Sequence, residues 1–164
     1  MVDHHYSLLF LSQCNSVRSL MAEALTNHLG QGRFTAASAG GEPAHQNDAL
    51  ALDVLRVANI PYRDLRPKHW SEFARPSSAG FDFVIALYDP NLEPRPQLPG
   101  APMTAIWRYP DPRALDGNAW KRRKAYGEIM NGLERQLRIF MALRFATLDR
   151  MSLQEQVTEI GQES

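Results

Sequence analysis

The sequence predicts an α/β fold, a four-stranded parallel sheet flanked by helices on both faces. Three observations carry this prediction. Four short apolar runs, at 7–11, 34–38, 82–87 and 103–107, read as strands of a buried parallel sheet. Segments with apolar residues at helical spacing stand between and after those runs. Strands alternating with helices in this way build a parallel layer rather than a meander or a bundle. At 164 residues, with no repeat, low-complexity stretch or internal boundary, the chain reads as one domain over 1–164.

Ser7 to Leu11 is the first strand, and it stops at polar Ser12 and Gln13. Val17, Met21, Ala24, Leu25 and Leu29 then fall on one helical stripe, which Gly30 and Gly32 end. Phe34 to Ser38 is a second strand, closed by Gly40 and Gly41. Asp48 to Ala58 is helical, with Leu50, Leu52, Val54, Leu55 and Val57 as apolar positions before Pro61. Asp82 to Leu87 is nearly all apolar and is therefore placed centrally. Five prolines between Pro90 and Pro102 require an ordered but irregular loop. Met103 to Trp107 is the fourth strand. Ala119 to Leu143 is the longest helix, with Ile129, Leu133, Leu137, Phe140 and Met141 at helical spacing. Ser152 to Ile160 is a short final helix, for which Ser152 and Glu155 match a capping box.

Lys+Arg and Asp+Glu each number 18, so the formal charge is zero. Nucleic-acid and membrane-surface binders rest on many uncompensated basic groups, and this balance argues against both. No apolar run approaches the ~18 residues of a membrane span, and the polar start lacks the plan of a secretory signal. A single cysteine, Cys14, rules out an internal disulfide and a multi-cysteine metal site. His28, His45 and His69 have no ligand spacing, and His4 and His5 read as a frayed terminus. A cytoplasmic protein without metal or cofactor is the expectation.

Ligands of open parallel sheets sit beyond the carboxyl ends of the strands. That rule selects Ser12 to Ser19, Tyr88 to Asp89, and Arg108 to Pro112. In the first of these a strand end passes through Ser12, Gln13, Cys14, Asn15, Ser16 and Val17 into a helix that carries Arg18 and Ser19. The first turn of a helix has N–H groups without intrahelical partners, and its dipole favours an anion. A guanidinium there offers a planar fork of donors to a tetrahedral oxyanion. On these residues alone a plainer reading stands beside it: Asn15 and Ser16 cap the helix, and Arg18 is solvated.

From Leu8 to Ser19 the sequence resembles the signature of low-molecular-weight tyrosine phosphatases and thioredoxin-coupled arsenate reductases. In that signature a strand leads into Cys-x5-Arg-Ser, with Asn-Ser inside the loop. The resemblance continues through Ser38-Ala39-Gly40, the stretches 65–73 and 99–107, and Asp111-Pro112. Residues 148–154 are similar to the arsenate reductase branch, and the match runs over about residues 6 to 161 in family order. It implies the phosphatase fold and an oxyanion held by Arg18 and the backbone of Ser12 to Ser19. It also implies a loop organised by Asn15, and Asp111 as general acid toward a leaving oxygen.

The departures bear on chemistry. The family's nucleophilic cysteine aligns with Ser12, and its loop glycine with Cys14. A thiol of pKa ~8.5 can be drawn to a thiolate in such a site, whereas a serine hydroxyl has no comparably accessible anion. Cys14 stands four residues before Arg18 rather than six, on a different part of the cradle. The reductase branch also needs further cysteines, where this chain has Tyr88 and, farther on, Arg95 and Pro96. The resulting expectation is a protein that binds phosphate, arsenate or a phosphoprotein with little or no turnover. An active phosphatase or reductase using Ser12 or Cys14, and an interaction module with a vestigial pocket, are the alternatives. Asp89-Pro90 reads as a turn, and the basic run Lys121 to Lys124 as a solvated face. Tyr88, Trp107 and Tyr109 read equally as pocket wall or as the edge of the core.

Overall fold

Buried side chains alternate along the strands, and this alternation sorts the interior into two unequal halves. The computed structural model describes residues 4–75, 80–88 and 96–162. Strands β1 (Tyr6–Leu11), β2 (Phe34–Ala39), β3 (Phe83–Ala86) and β4 (Met103–Ile106) form one parallel sheet in the order β2-β1-β3-β4. Leu8, Phe10, Phe83, Ile85, Met103 and Ala105 point to one face. There they meet α1 (Arg18–Gly30), α2 (Ala49–Val57), α3 (Ala119–Met141) and α4 (Arg150–Gln162). Leu9, Leu11, Val84 and Ala86 point to the other face and are covered by Trp70 and Phe73 of a 3-10 helix (Trp70–Phe73), with Phe81 and Leu98. Each fully buried Leu, Ile or Phe contributes about 1.5–3 kcal/mol, so the helical side carries most of the hydrophobic stabilisation.

The predicted strands and helices recur to within a few residues. Asp48 caps α2 by accepting from Leu50 N and Ala51 N, and Tyr126 of α3 donates to the same carboxylate at 3.0 Å. The expected capping box of the last helix is replaced. Asp149 accepts from Ser152 N at 2.7 Å, and α4 therefore begins at Arg150. A carboxylate is the stronger acceptor at a helix N-terminus, and it stands three residues before Ser152. Trp107 belongs to the core and not to a pocket wall: it is fully buried, its ring packs on Phe140, and its Nε1 donates to Val157 O at 3.1 Å.

β4 is an edge strand, and α4 lies along it. Gln154 Nε2 donates to Thr104 O at 2.8 Å, and Arg150 Nη2 to Ala101 O at 2.8 Å. The chain leaves β1 toward β2 on one side of the sheet, and β3 lies on the other. A crevice thus opens beyond the carboxyl ends of β1 and β3. No helix among the described residues is long and apolar enough to cross a membrane. Asp89-Pro90 and the proline-rich loop as far as Arg95 lie outside the described residues.

Candidate functional site

The loop from Ser12 to Val17 fills that crevice. Three of its carbonyls face the 42–48 segment and are paired there: Gln13 O accepts from Glu42 N at 3.0 Å, Cys14 O from Ala44 N at 2.9 Å, and Ser16 O from Asp48 N at 3.3 Å. In a trans peptide the N–H of the next residue points the opposite way, so the Cys14, Asn15 and Val17 N–H groups are aimed inward. Among the described residues, no backbone N–H from Gln13 to Val17 donates to another protein group. Asn15 takes the left-handed conformation, at φ 48°, which tightens the curl. The product is a concave nest of donors at a helix N-terminus, a shape and polarity suited to an anion. Gly40 lets the end of β2 approach this closely; a Cβ there would collide with Gln13 O and lie 2.6 Å from Ser12 O.

Beneath the nest lies a closed hydrogen-bond network. Asn15 Nδ2 donates to Ser19 Oγ at 2.7 Å and to Ser38 Oγ at 2.8 Å, and its Oδ1 accepts from Lys68 N at 2.9 Å. Asn15 thus ties β1's loop, α1, β2 and the 68 segment together rather than capping the helix. Ser38 Oγ donates to Glu23 Oε1 at 2.6 Å, and Lys68 Nζ donates to Ser38 O and Arg66 O, both at 2.9 Å. Lys68 Nζ stands 3.7 Å from the same Glu23 oxygen. Burial pushes the Glu23 carboxyl up, against the pull of Ser38 and Lys68. Burial pushes the Lys68 ammonium down, against the pull of Glu23. Desolvation therefore outweighs attraction for both partners.

Ser12 sits at the bottom of the nest, 2% exposed, with its Oγ 2.6 Å from Ser19 Oγ. One hydroxyl faces another, and no carboxylate, imidazole or amine is hydrogen-bonded to Ser12 among the described residues. Among the described residues the geometry supplies no general base for it.

Above the nest stand two guanidinium groups. Arg18, with a side chain 8% exposed, donates through Nη1 to Tyr109 O at 2.9 Å and to Leu87 O at 3.3 Å. These carbonyls lie just beyond β3 and β4 and hold Arg18 across the crevice, so the solvated alternative does not apply. Its Nη2 is 4.0 Å from Asp111 Oδ2. Asp111 opens the 3-10 turn Pro112–Ala114 and accepts three bonds from Arg113: from N at 3.0 Å, Nε at 3.1 Å and Nη2 at 2.7 Å. Burial raises the Asp111 carboxyl, but the Arg113 bonds and the Arg18 charge outweigh it and hold Asp111 below the usual carboxylate range. These contacts favour the charged form of Asp111 and so oppose the protonated form that a general acid uses. Arg113 Nη2 also reaches Cys14 Sγ at 3.1 Å, which brings the displaced cysteine to the rim.

The structure therefore gathers Ser12 to Ser19 and Asp111 around one crevice, with Ser12, Asn15 and Ser19 at its base and Asp111 at its mouth. The remaining aromatic candidates lead elsewhere. Tyr88 is buried with the second-face cluster, and Tyr109 donates its hydroxyl to Gln136 Oε1 at 2.5 Å, where burial pushes its pKa up to about 12. The basic run lies on the exposed start of α3; Arg123 pairs with Asp53, and Lys124 lies over Trp120. Sequence reasoning missed Glu23, Lys68 and Arg113. Glu23 reads as one polar position in an apolar helix, Lys68 lies in an irregular stretch, and only adjacency to Asp111-Pro112 marked Arg113.

The family model for low molecular weight phosphotyrosine protein phosphatase matches residues 7–156. The chain belongs to that family. A solved arsenate reductase in the phosphate binding state is 19% identical, covers 84% of this chain and 97% of its own, and superposes with a TM-score of 0.69. The arsenate reductase of Archaeoglobus fulgidus is 24% identical over 79% of this chain and 98% of its own, with a TM-score of 0.60. The low molecular weight protein tyrosine phosphatase of T. tengcongensis is 20% identical over 81% of this chain and 95% of its own, with a TM-score of 0.62. At these identities the structures share the fold. No curated protein matches the chain.

Proposed function

We propose that this protein binds a tetrahedral oxyanion (phosphate, arsenate or the phosphoryl group of a phosphoprotein) with little or no turnover. One observation carries the reading: a turn at a helix N-terminus with three carbonyls paired to the 42–48 segment, backbone N–H groups without a protein acceptor among the described residues, and the adjoining Arg18 guanidinium held across the crevice by Tyr109 O and Leu87 O. The nest and the guanidinium supply binding, since both are donors to negative charge. Turnover would need an activated nucleophile and a protonated acid. Among the described residues the Ser12 hydroxyl is hydrogen-bonded to Ser19, and the Asp111 carboxylate is occupied by Arg113. Relatives support the binding half of this reading: one arsenate reductase was solved in its phosphate binding state and Vibrio vulnificus Wzb in complex with benzylphosphonate.

Calorimetric titration with inorganic phosphate tests the binding. The wild type is expected to bind in the micromolar-to-millimolar range, about −8 to −4 kcal/mol, and Arg18→Ala to abolish the signal. A flat wild-type titration would remove the reading. Steady-state hydrolysis of an aryl phosphate tests the absence of turnover. Rates abolished by Ser12→Ala or Cys14→Ala would establish the enzyme alternative. Capture of a protein partner unaffected by Arg18→Ala would favour the interaction module.

A further inference from the structure

Asp111 is in an unusual position for a carboxylate at the mouth of an anion nest. Both guanidinium groups address the same oxygen: Arg113 Nη2 lies 2.7 Å and Arg18 Nη2 4.0 Å from Asp111 Oδ2. The two nitrogens are therefore less than about 7 Å apart, a gap that a tetrahedral anion can span with charge-assisted bonds of about 2.8 Å to each side. Arg113 also touches the nest itself through Cys14 Sγ at 3.1 Å. Its side chain is one-third exposed, so it has room to turn, whereas Arg18 is fixed by two backbone carbonyls.

We propose that Arg113 is a second anion-binding guanidinium, that the Asp111 carboxylate is its internal stand-in ligand, and that the pair makes the site select doubly charged tetrahedral anions. The inference rests on the oxyanion-binding reading above and specifies the ligand's charge. Charge balance at the mouth supports it. Arg18 and Arg113 contribute two positive charges and Asp111 one negative charge, with each guanidinium within hydrogen-bond or ion-pair distance of that carboxylate. A dianion that displaces the carboxylate regains both guanidinium contacts and the nest's N–H donors, while a monoanion merely exchanges for the carboxylate already present. The exchange breaks no covalent bond and moves no proton. Asp111 leaves toward solvent, and the anion takes its place between the two forks.

Two substitutions move affinity in opposite directions, and this distinguishes the proposal from a purely structural clasp. Titration with inorganic phosphate at pH 8, sulfate (a dianion) and perrhenate (a monoanion of the same shape) would be run on the wild type, Arg113→Ala, Arg113→Lys and Asp111→Asn. Thermal melts would confirm that each variant is folded. Arg113→Ala is expected to weaken phosphate and sulfate by about tenfold or more, with perrhenate changed by less than about threefold. Arg113→Lys should restore part of the loss, and Asp111→Asn should tighten the dianions. Unchanged or tighter dianion binding in Arg113→Ala, with Arg18→Ala still unable to bind, would overturn the proposal and leave the oxyanion reading standing. No anion binding by the wild type would overturn both.

Discussion

The base and the mouth of the 12–18 loop are built from the same few segments, yet they differ in kind. At the base, Ser12, Asn15, Ser19 and Ser38 are buried, and their hydrogen bonds close on one another and on Glu23 and Lys68. At the mouth, charged side chains meet at the surface, and one carboxylate serves two guanidiniums. The positions read as departures from the family signature, Ser12 and Cys14, lie one in each place. The Ser12 hydroxyl joins that of Ser19. Cys14, in contrast, adds a side chain where the signature has none, and that side chain meets Arg113. The curl of such a loop therefore depends on hydroxyls, an amide and backbone carbonyls, and not on sulfur.

The sharpest test of this contrast returns the sulfur. Ser12→Cys places a thiol between Ser19 Oγ and the inward N–H groups, which favour a thiolate. With an aryl phosphate whose phenolate leaves without a proton, hydrolysis should rise by about a hundredfold or more over the wild type. No gain in a stopped assay would show that the mouth, as well as the missing nucleophile, blocks chemistry.

Asn15→Ala attacks the base directly. It strands the Lys68 N–H and takes one of two partners from each of the Ser19 and Ser38 hydroxyls, which keep Ser12 and Glu23, and should cost about 1–3 kcal/mol, read as a lower denaturant midpoint. A smaller loss would mean that the network is not what shapes the loop.

Glu23 gives the base a pH signature. Its folded-state pKa is raised from the ordinary 4.5, so between 4.5 and that raised value the folded protein holds a proton that the unfolded chain has released. Stability therefore falls as pH rises through that window. Glu23→Gln should remove this slope in melts across the same range.

The mildest change lies far from the loop. Arg123→Ala removes an exposed, solvent-screened pair with Asp53 and should leave the melting temperature essentially unchanged. A larger effect would show that surface charge on α3 reaches the core.

What the sequence revealed follows from the range of the forces involved. Strands and helices were legible because burial imposes a local period, as in Leu8 to Leu11 and in Ile129, Leu133 and Leu137. The nest was legible because a strand end, small polar residues and Arg18 are contiguous. Long-range pairings left no local trace. Lys68 reaches Asn15 and Glu23 only once β2 and the 3-10 segment are folded, and Arg113 meets Cys14 across the whole sheet. The last helix shows the same limit at short range. Ser152 and Glu155 satisfied the pattern, but Asp149 stood one turn earlier with a better acceptor. Trp107 was ambiguous because an aromatic at a strand end looks alike whether α4 covers it or solvent does.

The clasp of α4 on β4 has a consequence of its own. Outermost strands are templates on which foreign chains can grow, because one row of their peptide groups has nothing to hold. Here Gln154 and Arg150 occupy that row at Thr104 and Ala101, so the terminal helix acts as a guard against fibre-like stacking. A copy clipped before Asp149 would expose that border to its neighbours and would also lose Val157 and Ile160 from the core beneath it.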